Sequence, residues 1–157
     1  DAVVAVMALC EAAACYYMKG SDLCEQMERL YETYGYYQEG LCTITLKGMD
    51  GAAKIQAILE RVRKNPPAKL GDWKVVEFRD YETGIAKNLA TGEERPAGLP
   101  KSNVLYFDLD RDAWCCIRPS GTEPKVKYYI GVKGENREDA GRQLEALTAA
   151  VSALVQD

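Results

Sequence analysis

The stretch VLYFDLDRDAWCCIRPSGTEPKVKYYIGVK, residues 104–133, decides how the chain folds. Val104 to Leu109 and Ala113 to Ile117 are apolar and aromatic runs parted by Asp110-Arg111-Asp112, the pattern of a β-hairpin. Val126 to Lys133 reads as a further strand. Its period of two puts Val126, Tyr128, Ile130 and Val132 on one face and Lys125, Lys127 and Lys133 on the other. Strands joined by short polar turns pair antiparallel.

Upstream, Tyr37 to Lys47 and Trp73 to Tyr81 read as two more strands, and in the first Leu41, Thr43 and Thr45 face opposite to Cys42, Ile44 and Leu46. Between them Asp50 stands where it would cap a helix carrying Ile55, Ile58, Leu59 and Val62, which Asn65-Pro66-Pro67 ends. Residues 82–101, rich in Gly, Pro and polar side chains, read as one long surface connection. A last helix starts near Asn136, with Glu138 and Asp139 in its first turn and Ala140, Leu144, Leu147, Val151 and Leu154 on one stripe. The expected fold is α+β: a mostly antiparallel sheet with helices on one face.

The first 36 residues read differently. From Ala2 to Met18 every residue but Glu11 is apolar or aromatic, giving a helix apolar all round. It is shorter than the ~20 residues a membrane span needs and carries a carboxylate at its middle. Lys19-Gly20 ends it. Asp22 and Glu25 open a second helix, with Leu23, Met27, Leu30, Tyr31 and Tyr34 on one face and Gly35 as its stop. About the first 35 residues are therefore expected to form a helical hairpin. An all-apolar helix at a start without Met suggests a piece of a larger protein whose first helix has lost part of its packing surface.

Of 157 residues, 47% are hydrophobic and 28% charged, enough for a buried core. Twenty basic against 24 acidic residues leave a net charge of −4, which argues against a dedicated nucleic-acid binder but leaves room for a small basic pocket. The absence of His removes His-based metal sites, Ser-His-Asp triads and Cys-His dyads. Six cysteines, at 10, 15, 24, 42, 115 and 116, form no C-x-x-C pair. With no visible secretion signal they read as reduced thiols of a cytoplasmic protein.

One loop carries chemistry. Arg118-Pro119-Ser120-Gly121-Thr122-Glu123-Pro124-Lys125 joins two strands and has the residue types of a phosphate cradle. Arg118 offers a planar fork for two oxygens, Ser120 and Thr122 offer hydroxyls, and Gly121 lets backbone N–H groups come close. The two prolines limit the entropy lost on binding, and Lys125 and Lys127 add positive charge. Hydrogen bonds to a charged group are worth about 1.5–3 kcal/mol each, so three or four would hold a phosphate. Spacing alone also admits a plain tight turn, and Glu123 would repel an anion unless it points away.

The loop resembles the phosphate-binding loop of the α-D-phosphohexomutase superfamily, which includes phosphoglucomutases, phosphomannomutases and phosphoglucosamine mutases. Ser102-Asn103-Val104-Leu105, Trp114-Cys115-Cys116-Ile117 and Lys125-Val126-Lys127-Tyr128-Tyr129 agree, as do Asp1-Ala2-Val3-Val4, Tyr34-Gly35-Tyr36-Tyr37 and Thr45-Leu46-Lys47-Gly48. They are most similar to the bacterial phosphoglucomutase branch. The resemblance implies the tail of a third domain over residues 1–36 and a complete C-terminal fourth domain, with a TATA-box-binding-protein-like fold, over 37–157. It also implies that Arg118, Ser120, Gly121 and Thr122 bind the substrate's phosphate, with Lys127 and Lys125 adding contacts.

The superfamily's phosphoserine, its Asp-x-Asp-x-Asp magnesium loop and its Gly-Glu-Glu sugar loop belong to the first three domains, and none occurs in this chain. Asp108-Leu109-Asp110 with Asp112 only mimics the magnesium loop and reads as a strand end and turn. The resemblance implies Mg2+ in the parent enzyme and none in this fragment, and as partners the remaining mutase domains and a hexose or pentose phosphate, with no membrane and no nucleic acid. Two other readings remain at this point: a module that binds nucleic acid or a protein through its sheet, and a structural piece with no ligand.

Overall fold

The computed structural model describes residues 1–46 and 50–156, and of residues 155 and 156 the backbone only. The chain divides into two compact units, Asp1–Tyr36 and Tyr37–Asp157. In the first, α1 (Ala2–Met18) and α2 (Leu23–Tyr34) form the expected hairpin. Gly20, at φ +73°, lies just past the end of α1. The N–H of Gly20 reaches Tyr17 O, and that of Ser21 reaches Tyr16 O at 3.0 Å, a Schellman closure that satisfies the helix's last carbonyls. Asp22 caps α2 by accepting from Glu25 N at 2.8 Å. No residue of α1 is buried. Among the described residues no single helix is long and apolar enough to cross a membrane.

The second unit is α+β. Its strands are β1 (Tyr36–Thr45), β2 (Lys69–Leu70), β3 (Trp73–Asp80), β4 (Ile85–Asn88), β5 (Glu94–Pro96), β6 (Leu105–Leu109), β7 (Trp114–Pro119) and β8 (Lys125–Gly134). They form one sheet in the order β1-β8-β7-β6-β3-β4-β5, with β2 paired to β3. The pairs from β2 through β8 run antiparallel. Helices α3 (Gly51–Lys64) and α4 (Arg137–Gln156) cover one face. Ile55, Leu59 and Val62 of α3 and Leu147 and Val151 of α4 close over Phe78, Phe107, Ile117, Val126, Tyr128, Ile130 and Val132. The residues of β6, β7 and β8 alternate with a period of two, whereas Phe78 reaches the core through the register shift between Val75 and Glu77.

Two expectations need correction. Residues 82–101 are not one connection but hold β4 and β5, short strands at the sheet's edge. A two-strand ribbon this short lacks the hydrophobic alternation that marks a strand, and Pro96 is tolerated because an edge strand leaves its N–H side unpaired. The two-residue β2 is too short to read at all. Asp50 precedes α3 but makes no side-chain capping bond. Lys47, the expected end of β1, lies outside the described residues.

The β6–β7 turn is built as the alternation requires. Arg111 and Asp112 both take positive φ, 58° and 56°, at the centre of a turn that Ala113 N closes by donating to Asp110 O at 3.3 Å. Arg111 stacks on Trp73 with its guanidinium carbon 4.6 Å from the ring centre, and Asp112 pairs with Lys133 at 3.1 Å. These contacts hold the turn against its backbone cost.

The candidate anion site

The loop 118–127 leaves the sheet at the end of β7 and returns at the start of β8. The register places Ile117 opposite Tyr128, Arg118 opposite Lys127 and Pro119 opposite Val126. Ile117, Tyr128 and Val126 turn into the core. Arg118 and Lys127 therefore share the face that the helices leave uncovered, both exposed. Directly opposed side chains lie about 5 Å apart at Cβ, and like charges there repel. Among the described residues neither side chain forms a hydrogen bond or ion pair.

Beyond this pair the chain curls into a tight bend. Lys125 O accepts from Ser120 N at 2.8 Å, and Glu123 O accepts from Lys125 N at 2.7 Å. Ser120 Oγ accepts from the N–H groups of Thr122 and Glu123 at 3.4 and 3.3 Å. A hydroxyl that accepts in this way still has its own proton to donate outward. The bend encloses a concavity of 270 Å³ lined by Arg118, Pro119, Ser120, Gly121, Thr122 and Lys127. A Cβ placed on Gly121 would meet nothing within 4 Å, and its φ is ordinary, so nothing inside the chain demands a glycine there.

Five of the six sequence-predicted residues thus meet around one concavity. The sixth, Lys125, is not part of its lining: its ammonium pairs with Glu123 Oε1 at 2.9 Å, which also neutralises the loop's one carboxylate. Pro119 lines the concavity, where the sequence suggested only rigidity. Nearby, burial pushes the Cys116 thiol up, with the Arg118 charge opposing. That leaves Cys116 uncharged beside the cation pair at neutral pH. Cys115, buried on the opposite face, is pushed up further. All six cysteines are free.

The Asp108, Asp110 and Asp112 carboxylates go to three different partners. Asp108 bonds Arg79, Asp110 accepts from Lys74 N at 3.0 Å, and Asp112 takes Lys133. Among the described residues no group of three or more His, Cys, Asp or Glu is arranged to hold a metal ion, so the residues present do not fit one.

No family model matches the chain. Phosphoglucomutases of Staphylococcus aureus do. That of strain USA300 is 34% identical over 147 residues, covering 94% of this chain and 26% of that protein. Those of strains MSSA476 and N315 are 33% and 32% identical with the same coverage. This chain is homologous to part of a phosphoglucomutase. It spans about a quarter of the length of the curated relatives it matches. Among solved structures, the open form of the Paramecium phosphoglucomutase pp63/parafusin is similar to 86% of the chain, at 14% identity and a TM-score of 0.47, over 23% of its own length. The homology agrees with the superfamily resemblance carried by residues 118–124.

Proposed function

We propose that residues 37–157 are the substrate-phosphate-binding domain of a phosphosugar mutase, and that residues 1–36 are the helical tail of the domain before it. The observation that carries this reading is the unpaired cross-strand couple Arg118–Lys127 at the mouth of a bend lined by Ser120, Gly121 and Thr122. Arg118 would clamp two phosphate oxygens, Lys127 would supply the second charge, and the Ser120 and Thr122 hydroxyls and the Gly121 N–H would take the remainder. Lys125 joins them only by releasing Glu123.

In the parent enzyme the reaction is the interconversion of a hexose 1-phosphate and a hexose 6-phosphate, with glucose as the sugar, through a bisphosphorylated intermediate. That enzyme requires Mg2+, works in the cytoplasm, and packs its other domains against α1. The loop's part is to hold whichever phosphate is not reacting and to spend that remote binding energy on alignment. Charged donors fixed on rigid strands do this at little entropic cost. The chain alone, without the superfamily's phosphoserine and magnesium loop, turns nothing over.

Titrating glucose 1-phosphate while following the amide signals of residues 118–127 tests the site, and Arg118→Ala should abolish the shifts. In the full-length enzyme Arg118→Ala should lower kcat/KM far more than Lys133→Ala, since Lys133 is already paired with Asp112. Equal, small losses from the two substitutions would remove the loop from the substrate site.

A further inference from the structure

The far end of the loop is anchored by residues from a distant part of the chain. Pro124 O accepts a hydrogen bond from Leu46 N at 3.0 Å, just past the end of β1. Gly51, the first residue of α3, lies against the same proline. A Cβ on Gly51 would stand 2.1 Å from Leu46 O, 3.1 Å from its carbonyl carbon and 3.0 Å from Pro124 Cβ. The first of these is far inside van der Waals contact, and the obstructing atom is main chain. The end of β1, the start of α3 and the loop's last proline meet where there is no room for a side chain.

From Pro124 the contacts continue into the bend. The next residue, Lys125, bonds Ser120 N through its carbonyl and Glu123 O through its N–H. A run of main-chain contacts therefore joins the first residue of α3 to Ser120 in the concavity. Gly121 behaves in the opposite way: it lines the concavity, yet a side chain there would touch nothing in the chain.

We infer that Gly51 is a positioning residue for the anion cradle: its missing side chain lets β1 and α3 seat Pro124, and through it the backbone of residues 120–122. This rests on the phosphate-binding reading above. Groups that clamp an oxyanion must be placed to within a fraction of an ångström, so a displaced anchor costs affinity without removing any ligating group.

The test is a titration of the whole 157-residue chain with inorganic phosphate, read from the loop amides well below the unfolding midpoint. Four chains are compared: wild type, Gly51→Ala, Pro124→Ala and Arg63→Met. Gly51→Ala is expected to bind phosphate about tenfold more weakly, with the amides of residues 120–122 shifted before any ligand is added. Arg63→Met weakens the fold from α3's other end and should leave the phosphate affinity unchanged, which separates positioning from stability. Pro124→Ala keeps the carbonyl acceptor and the Cβ that faces Gly51, but loses the rest of the ring and with it the fixed φ that seats this residue. A loss of about threefold is expected there, and it decides the matter if Gly51→Ala does not fold. Phosphate binding by wild type that the Gly51 and Pro124 variants match overturns this inference alone. No binding by wild type overturns the anion reading and this inference with it.

Discussion

Reversing the charge at Lys127 separates an anion site from an ordinary turn, because the two readings predict different responses to phosphate. Arg118 and Lys127 are cross-strand partners on the uncovered face, both exposed and unpaired among the described residues. Two unit charges about 5 Å apart in water repel by about 0.8 kcal/mol, an upper figure for long side chains that can splay from opposed Cβ atoms. Screening at 0.1 M salt leaves about 0.5 kcal/mol. Lys127→Glu turns that repulsion into an attraction of similar size, a gain of about 1 kcal/mol in phosphate-free, low-salt buffer, at the upper end for an exposed pair. Phosphate acts in the opposite direction. At ten times its dissociation constant it adds about 1.4 kcal/mol to the wild type, while the variant, with a carboxylate in the cradle, gains nothing. Urea denaturation at fixed ionic strength, with phosphate exchanged for chloride, should show the two stability curves crossing as phosphate rises. Parallel curves, or a variant less stable at every phosphate level, would refute the reasoning.

Other expectations concern the scaffold. Gly131→Ala would push a Cβ to within 2.2 Å of Trp114 Nε1, on an indole already stacked with Tyr106 at 5.9 Å, and should cost about 1–3 kcal/mol by urea denaturation. Arg63→Met leaves Asp80, a carboxylate only 5% exposed that Arg63 meets at 3.1 Å, with only the Glu82 N–H and Thr83 hydroxyl as donors and no counter-charge there, and should cost about 3 kcal/mol by thermal melting. On the uncovered face burial opposes ionisation of Glu77, but hydrogen bonds from Arg79 and Arg95 hold its carboxyl below the ordinary 4.5. Its stabilising share is therefore complete above that value and lost as pH falls through the depressed one. Asp108 is displaced upward by burial against the pull of Arg79, so its share runs the opposite way and fades as pH rises. Midpoints measured from about pH 6 to about pH 3 should fall less steeply for Glu77→Gln than for wild type.

Most of the sheet was legible because β1, β6, β7 and β8 follow the period of two, while β3 breaks it at the register shift between Val75 and Glu77. Val126 through Val132 and Cys115 with Ile117 alternate core and surface as written, and Leu41, Thr43 and Thr45 alternate with Cys42 and Ile44 in the same way. What escaped was set by partners rather than by pattern. β4 and β5 exist because β3 offers an edge: Arg79 pairs with Ala86 and Lys87 with Glu94, and neither pairing leaves a mark within its own short run. The missing cap at Asp50 is of the same kind. Its residue type suits a helix start, but the start of α3 is fixed by the close packing of Gly51 on Leu46 and Pro124. Lys125 shared a face with Lys127 in the strand pattern, yet which of the two reaches the concavity depends on Glu123, which takes Lys125. Side-chain choice among neighbours is a contest of local energies that spacing does not record.

The register of Arg118 against Lys127 was also invisible in the sequence, and it changes how the loop's other residues weigh. Taken without a ligand, the bend is built against its own stability. It opposes two cations with no counter-charge and spends the backbone freedom of a glycine at position 121, where no contact asks for one. It also leaves the Ser120 hydroxyl proton without a partner among the described residues while its oxygen holds the turn. The cation pair and the glycine each cost a few tenths of a kcal/mol to about 1 kcal/mol, and a turn needed only to reverse the chain would gain by shedding both. Local departures of this sort gather where function requires them. A single dianion in the concavity turns each cost into a contact: the repulsion becomes a shared clamp, the bare Gly121 becomes access to an N–H, and the idle proton becomes a donor.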